Sequence, residues 1–426
     1  MSGDMSVFQT LIDEAVSKGI GPGFQAVVFN KDQVLFSGVS GYAVAPSNED
    51  PKGREMTPST ILWVASFCKV MTHLIALHAI DHGFISGFTM DDLDNHEKLV
   101  QVLPELKQGN GELVTKPGPD GHKVMKLRDA KNKITLRMLL THTSGYAGGA
   151  GWNNAVIARL FEGGDPILTA SHLFTGLIKD FHIPLLFEPG TGYLYVLAQF
   201  VVRSTGKNLR ALYREYILGS LSLSSKETDL WFPAHIKDHI AGLHMKSQNS
   251  PNGYITINMP IYTKEDNLEE GYAYPAEGSL FASFRAFVPI LQAMLRHDER
   301  LLKKETWEKV MKDDLKDRGI VPPRPYITST VLFSETIDEY VKSTSPDIPP
   351  GGSMLSCHVA TTPTVSGRPA GSYGWAGTSN TFFFLDSKNS IGGIIGAQMI
   401  PFMDPSIVEI RDKFESLVYE TFVGKA

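Results

Sequence analysis

The 426-residue sequence lacks several features that would assign it to a class at once. It has only two cysteines, Cys68 and Cys357, which cannot build a disulfide framework and are typical of a reducing compartment. No uninterrupted apolar run is long enough to cross a membrane. The N-terminus has neither the basic start nor the apolar core of a secretory signal. We therefore predict a cytoplasmic protein that has no membrane partner.

Charge of one sign is not concentrated anywhere in the chain. The formal net charge is -6 and basic blocks are lacking, which argues against a nucleic-acid partner. Hydrophobic residues make up 42% and charged residues 20%, as in ordinary globular proteins and unlike disordered ones. A chain of 426 residues is longer than one small hydrophobic core usually organises. Two lobes, or one domain with a large insertion, are therefore expected.

The two ends of the chain share a pattern. Apolar, strand-like runs flank short polar turns, at 24–29 and 34–43 and again at 380–386 and 390–400. Helical patterns lie outside these runs, at about 5–18 and 405–422. One sheet assembled from both termini and covered by helices accounts for this arrangement.

The middle of the chain is mainly helical in pattern. We predict an α/β lobe from 1–95 and 225–426, interrupted by a mainly helical lobe from 96–224. Within that lobe, a Gly- and Pro-centred segment at about 112–135 predicts an exposed hairpin. A hairpin there could overhang a cleft, but simple connection is the favoured interpretation because most loops only connect.

The strongest local candidate for chemistry is the tetrad Ser66-Phe67-Cys68-Lys69. Ser66 ends an apolar strand-like run and opens a helix to about Asp81, so Lys69 lies on the same helix face. A serine hydroxyl becomes a good nucleophile when a neighbouring base takes its proton. A second match, Ser204-Thr205-Gly206-Lys207, has the composition of a helix-ending turn. On spacing alone, Ser66 is more simply explained as a helix N-cap.

Three further segments change that balance: LLTHTSG at 139–145, EPGTGYLY at 188–195, and Trp375-Ala376-Gly377-Thr378 before the C-terminal strands. With EGSLFAS at 277–283, they follow the order of motifs in the serine β-lactamase and penicillin-binding superfamily. The chain most resembles its class C-like branch, which includes family VIII carboxylesterases and fungal statin-type acyltransferases. The resemblance spans roughly residues 5–420. It implies an α/β (α+β) fold of the β-lactamase/transpeptidase type, with an antiparallel sheet and a helical lobe.

The resemblance also implies roles for individual residues. Ser66 matches the nucleophile, Lys69 its lysine, and Tyr195 the tyrosine that serves as general base and then general acid. A phenol near an ammonium is biased toward phenolate and can accept the serine proton. Tyr193 competes for this position, but the family spacing from Pro-Gly-Thr selects Tyr195. It remains among the substrate-binding candidates.

The third motif implies the rest of the site. The backbone N–H groups of Ser66 and Thr378 correspond to the oxyanion hole. Trp375 and Gly377 match a Trp-x-Gly substrate-binding edge strand, where glycine permits close approach.

Two departures from the β-lactamase pattern bear on the substrate. Leu197 stands where Tyr-x-Asn would provide an amide, and Trp375 replaces the lysine of Lys-Thr-Gly. A site without these polar anchors should bind anionic lactams and peptides poorly and accept acyl esters or thioesters. The predicted function is acyl transfer through an acyl-enzyme, to water or to an alcohol, on a small secondary metabolite. An acyl carrier protein is a possible donor.

Several alternatives stay open. A lactam or D-peptide amidase and a catalytically silent binding protein are the competing functions. His78 and His82 lie four residues apart and could hold a metal, but they lack a visible third ligand. Cys68 with His142 could be a thiol nucleophile and base, although buried packing and a structural hydrogen bond are favoured for them. No metal or cofactor is expected, because this acyl chemistry needs none.

Overall fold

The computed structural model describes residues 4–107, 112–117, 123–145, 185, 187–191, 199–230, 234–250, 252–257, 278–320 and 351–424. Its strands are β1 (Gly23–Asn30), β2 (Val34–Val44), β3 (Arg54–Glu55), β4 (Leu62–Ala65), β5 (Glu112–Pro117), β6 (Lys123–Arg128), β7 (Thr228–Leu230), β8 (Leu243–Lys246), β9 (Tyr254–Ile257), β10 (Leu280–Ala282), β11 (Gly351–Gly352), β12 (His358–Val359), β13 (Tyr373–Gly377), β14 (Thr381–Asp386), β15 (Ile391–Gly396) and β16 (Met399–Ile400).

The described α-helices lie at both ends of the chain and between the strands. They are α1 (Ser6–Ser17), α2 (Phe67–Asp81), α3 (His96–Val102), α4 (Leu136–Leu140), α5 (Gln199–Thr205), α6 (Leu209–Leu212), α7 (Phe284–Leu295), α8 (Lys304–Val310), α9 (Asp314–Asp317) and α10 (Pro405–Val418). Short 3-10 turns cover Met90–Asp92, Pro104–Lys107 and Ala234–His239, while wider π-helical turns cover Tyr213–Gly219 and Tyr419–Val423.

The main sheet joins the two chain ends, as the sequence predicts. Its strand order is β11-β12-β13-β14-β15-β1-β2-β3, and the described pairings within it are antiparallel. The join is the β1–β15 pair, in which Gln25 lies opposite Gly396. The expected hairpins at both ends are confirmed: β1 turns into β2 after Asn30, and β14 turns into β15 after Asp386.

Alternation along β1 explains the layers on the two faces of the sheet. Val27 and Phe29 point into a core shared with α2 and α7, whereas Ala26 and Val28 point into a core shared with α1 and α10. Burying a large apolar side chain contributes about 1.5–3 kcal/mol, and these positions are all but fully buried. The sheet is therefore covered by helices on both faces, and α2 is held in the first of these two cores.

Two smaller sheets and a hairpin complete the described part of the fold. The sheet β4-β10-β7 places the end of β4 directly before α2, and β16-β8-β9 forms a second three-stranded sheet. The hairpin predicted at about 112–135 is present as the antiparallel pair β5–β6. The division into two lobes stays a prediction. Within the described residues, no helix has the length and apolar character needed to span a membrane.

Candidate active site

Ser66 lies at a sharp turn from a strand into a helix. β4 ends at Ala65, whose φ of 46° is in the left-handed region that L side chains rarely adopt, and α2 begins at Phe67. This turn brings the Ser66 side chain to the start of the helix, where backbone N–H groups lack helical partners. Ser66 remains partly exposed, while the next fourteen residues, all in α2, are buried.

The side chain of Ser66 does not act as an N-cap. Its φ and ψ are helical (-66° and -4°), and its hydroxyl makes no capping hydrogen bond. The Lys69 ammonium nitrogen Nζ instead lies 2.9 Å from Ser66 Oγ and donates to it. Lys69 is only 8% exposed. The N-cap interpretation of Ser66 is therefore wrong, because the structure pairs the hydroxyl with a buried lysine.

Trp375 and Gly377 bring strand β13 against this turn. The indole Nε1–H of Trp375 donates to the backbone carbonyl of Ser66 at 3.0 Å. A Cβ at Gly377 would collide with the carbonyl oxygen of Val64, so only glycine allows this approach of the two backbones. Thr378 follows directly, near the turn that carries Ser66. This is the neighbourhood in which its N–H and that of Ser66 are expected to form the oxyanion hole.

The structure refines the expectation that Trp375 and Gly377 lie on an edge strand. β12 pairs with β13 only at Tyr373 and Gly374. Within the described pairings, the second half of β13 therefore has β14 on one side and no strand on the other. The edge needed for close approach is thus limited to the half that carries the Trp-x-Gly motif.

Three histidines surround the site behind Lys69 and Trp375. The rings of His73 and His142 are 4.9 Å apart, and His142 lies 6.4 Å from the Trp375 ring. His358 is 4.7 Å from the same indole. His142 Nε2 is 2.6 Å from Ser356 Oγ, which gives it the structural hydrogen bond expected at a helix end.

Burial keeps these imidazoles from acting as cations. It lowers the pKa of His73 to about 3, with the charge of Lys69 contributing, and the pKa of His358 to about 4. Burial, followed by the charges of His73 and Lys69, holds the pKa of His142 well below its ordinary value. At neutral pH these three imidazoles are therefore uncharged.

Sequence reasoning missed His73, Ser356 and His358. His73 had a signal, since it lies four residues after Lys69 on one helix face. Ser356 and His358 reach the site from a separate part of the chain, and no local pattern announces them. Tyr193, Tyr195 and Leu197 lie outside the described residues, so their predicted roles stay predictions.

The two alternative sites, the histidine pair and the cysteine candidate, lie in different environments. His78 and His82 have ring centroids 4.3 Å apart, but His78 Nδ1 lies 2.6 Å from the Leu301 carbonyl. No group of three metal-ligating side chains occurs among the described residues. Cys68 and Cys357 are buried and are not joined by a disulfide, and burial raises the pKa of the Cys357 thiol to about 12. The pairing of Cys68 with His142 stays a hypothesis.

The site pairs a partly exposed serine with a buried lysine at the start of a helix, and this helix packs beside an antiparallel sheet. This arrangement is that of a serine hydrolase or acyltransferase of the β-lactamase-related class. The chain belongs to the beta-lactamase family, whose sequence model matches residues 8–398. The resemblance noted in the sequence is thus confirmed, together with the β-lactamase/transpeptidase-like fold.

Individual relatives cover most of the chain. Acyltransferase calJ from Penicillium decumbens is 25% identical over 399 residues, which cover 91% of this chain and 86% of that protein. Lovastatin esterase from Penicillium rubens is 25% identical over 377 residues, or 85% of this chain and 86% of that protein. Among solved structures, unliganded simvastatin synthase (LovD) from Aspergillus terreus superposes with a TM-score of 0.74 at 19% identity, covering 98% of each chain.

Proposed function

We propose that the protein transfers an acyl group through an acyl-enzyme on Ser66. The observation that carries this proposal is the 2.9 Å contact between Lys69 Nζ and Ser66 Oγ at a partly exposed helix start. A hydroxyl that caps a helix is occupied by backbone N–H groups, whereas this one accepts from Lys69, which we propose forms one proton-transfer unit with Tyr195. The nearby β13 end adds N–H donors for the charge that develops on the substrate oxygen.

The proposed reaction has two balanced halves. Ser66 Oγ bonds to the donor carbonyl carbon, the donor's C–O or C–S bond breaks, and the serine proton passes by way of Tyr195 to the departing alcohol or thiol. In the second half, water or an acceptor alcohol attacks the acyl carbon, gives its proton to Tyr195, and the Ser66 Oγ regains a proton as its bond to carbon breaks. Lys69 stays beside Oγ throughout and supports both proton transfers.

The substrate we propose is a small secondary metabolite, probed as an ester or thioester. Two of the relatives bear the names acyltransferase and lovastatin esterase, and the structural neighbour is a simvastatin synthase. Trp375 supports an uncharged acyl group, because an indole stands where a lysine would hold a carboxylate. Leu197 is proposed as a further apolar wall. Delivery by an acyl carrier protein in the cytoplasm belongs to this proposal, and two buried cysteines that form no disulfide suit that compartment.

A donor panel tests the proposed reaction. The protein is incubated with p-nitrophenyl esters, acyl thioesters and a chromogenic cephalosporin, and its intact mass is followed over time. We expect an adduct of the acyl mass on Ser66 with esters or thioesters, discharged faster when a suitable alcohol is added. No adduct with any donor, or with a fluorophosphonate, favours the binding-protein alternative.

Comparing one ester with one lactam separates the proposed substrate class from the amidase alternative. We expect kcat/KM for a short-chain aryl ester to exceed that for nitrocefin by at least about a hundredfold, because binding sites reject substrates whose polar groups they leave unpaired. Both values are measured on one preparation. Comparable efficiencies would place the amidase alternative first.

A further inference from the structure

His142 holds an unusual backbone conformation next to the candidate nucleophile. It is a non-glycine residue with φ of 58°, it follows α4, and its side chain is 1% exposed. Left-handed conformations cost L residues energy and persist where surrounding contacts over-determine them. The conformation directs an imidazole into the protein instead of continuing the helix.

The contacts of His142 join three separate elements of the site. Its Nε2 is 2.6 Å from Ser356 Oγ, in the loop before β12. One neighbour is His73, one helical turn beyond Lys69 on α2. The other is Trp375 on β13, which stacks at an interplanar angle of 24° and donates to the Ser66 carbonyl. A single ring therefore packs against both the nucleophile helix and the strand that leads to the second oxyanion donor.

We propose that His142 is a positioning residue that sets the spacing between α2 and β13, and thereby the placement of Ser66 and its oxyanion donors. Transition-state stabilisation requires those donors 2.7–3.1 Å from one oxygen atom. A displacement of about 1 Å can reduce the rate about 100-fold. The proposal rests on Ser66 being the nucleophile. It assigns no proton transfer to His142, which agrees with its neutral state.

The test uses the substitution His142→Asn. Asparagine tolerates the left-handed region, so the backbone is retained while the imidazole that separates the two elements is lost. His297 offers a matched control, because it is also a left-handed histidine, with φ of 54°, and stacks on Trp307 at 5.5 Å. Its substitution His297→Asn makes the same chemical change outside the described contacts of the site.

Turnover is measured per active site titrated with a fluorophosphonate, so that unfolded protein does not count. We expect His142→Asn to lower kcat about 10- to 100-fold, with a smaller change in KM and no change in the shape of the pH–rate profile. His297→Asn should turn over at the wild-type rate. Ser356→Ala keeps the ring but removes its hydrogen bond, so its loss should be smaller and should vanish in the double variant with His142→Asn.

Three results would overturn the inference. These are wild-type turnover per titrated site in His142→Asn, an equal loss in His297→Asn, and a displaced acidic limb of the pH–rate profile, which would make His142 an acid or base. Failure of the proposed function looks different: the wild-type protein then shows no fluorophosphonate adduct on Ser66. If the adduct forms on Ser66 in every variant and turnover is unchanged, only the positioning role of His142 fails.

Discussion

The chain contains the same four-residue pattern twice, and the two copies have opposite environments. In the first, Lys69 is buried and its Nζ lies 2.9 Å from Ser66 Oγ. In the second, Lys207 is largely exposed and pairs with Glu215 at 2.6 Å. The hydroxyl of Ser204 bonds back to the Phe200 carbonyl at 2.7 Å. Spacing is therefore shared by a candidate nucleophile and by an ordinary helix end, and environment separates them.

The backbone explains why the two copies differ. Ser66 comes before the first turn of α2, so its hydroxyl cannot bond back to a helical carbonyl four residues earlier, and it accepts from Lys69. Ser204 lies in the last turn of α5, where a serine hydroxyl can reach the carbonyl four residues earlier. Gly206, with φ of 67°, then reverses the chain and carries Lys207 to the surface, as expected for a helix-ending turn. In this chain the lysine therefore faces the serine hydroxyl in the tetrad where the helix begins between the two residues.

The largest expected effect separates the two serines. Ser66→Ala should abolish the acyl-enzyme and lower kcat/KM at least about a thousandfold, because it removes the oxygen on which we propose the acyl group is carried. Ser204→Ala should leave turnover unchanged. The measurement is intact-protein mass after a fluorophosphonate, together with ester turnover. Wild-type turnover in Ser66→Ala would remove this serine from the mechanism.

Stability should hardly change in Ser66→Ala. From the sequence alone, the expected cost is a lost N-cap, about 1 kcal/mol. The structure lowers that expectation, because the Ser66 side chain makes no capping bond. A thermal unfolding curve checks this. A large fall in Tm would mean that the lost turnover reports unfolding instead of chemistry.

The second largest difference in activity is expected between substitutions of the two lysines, Lys69 and Lys207. Lys69→Met keeps most of the buried volume and removes the amine, so we expect a loss of about 100- to 10,000-fold, the range for a proton-transfer group. Tyr195→Phe should cost a similar amount, and the double variant little more, because both residues serve one proton-transfer unit. Lys207→Met is the matched control and should keep full activity, since exposed ion pairs contribute little. Additive losses in the first pair would instead point to separate roles.

Local sequence patterns predicted the elements that local physics controls. The start of α2 directly after Ser66, its end at Asp81 and the hairpins at both chain ends follow from apolar periodicity and turn residues within a few positions. Trp375 was placed in the site by family resemblance alone. The hydrogen bond from its indole to the Ser66 carbonyl joins residues 309 positions apart, and no pattern in the chain indicates it.

The sequence does not determine the backbone angles and side-chain directions at the site. These features decide between the competing interpretations of Ser66. Whether Ser66 caps a helix depends on its φ and ψ and on where Lys69 points, which composition does not determine. The same holds for His142, whose left-handed backbone occurs together with tertiary contacts to Ser356 and Trp375. Tertiary packing can override a local preference, and it does so here at the site.

The smallest expected effect concerns two left-handed residues, one just before the first tetrad and one within the second. Ala65 precedes Ser66 with φ of 46°, whereas Gly206 carries φ of 67° inside the second tetrad. A left-handed alanine costs about 1–2 kcal/mol relative to glycine, so Gly206→Ala should lower the free energy of unfolding by about 1 kcal/mol and leave kcat unchanged. Space is not the cause, because no atom of another residue lies within 4 Å of the added Cβ.

The reciprocal change, Ala65→Gly, has opposing contributions. Relief of backbone strain stabilises the fold, while the greater freedom of glycine in the unfolded chain costs about 0.4–1 kcal/mol, so the net change should be small. The turn that presents Ser66 also becomes less restricted, and we expect kcat to fall by no more than about tenfold, because only part of the positioning is lost. Denaturant unfolding gives the free energy of unfolding of each of the two variants, and ester turnover gives the kcat of each. Suppose that Ala65→Gly keeps full turnover and raises the free energy of unfolding as much as Gly206→Ala lowers it. The strained alanine then contributes nothing to placing the nucleophile. The difference between the tetrads would in that case rest on their lysines.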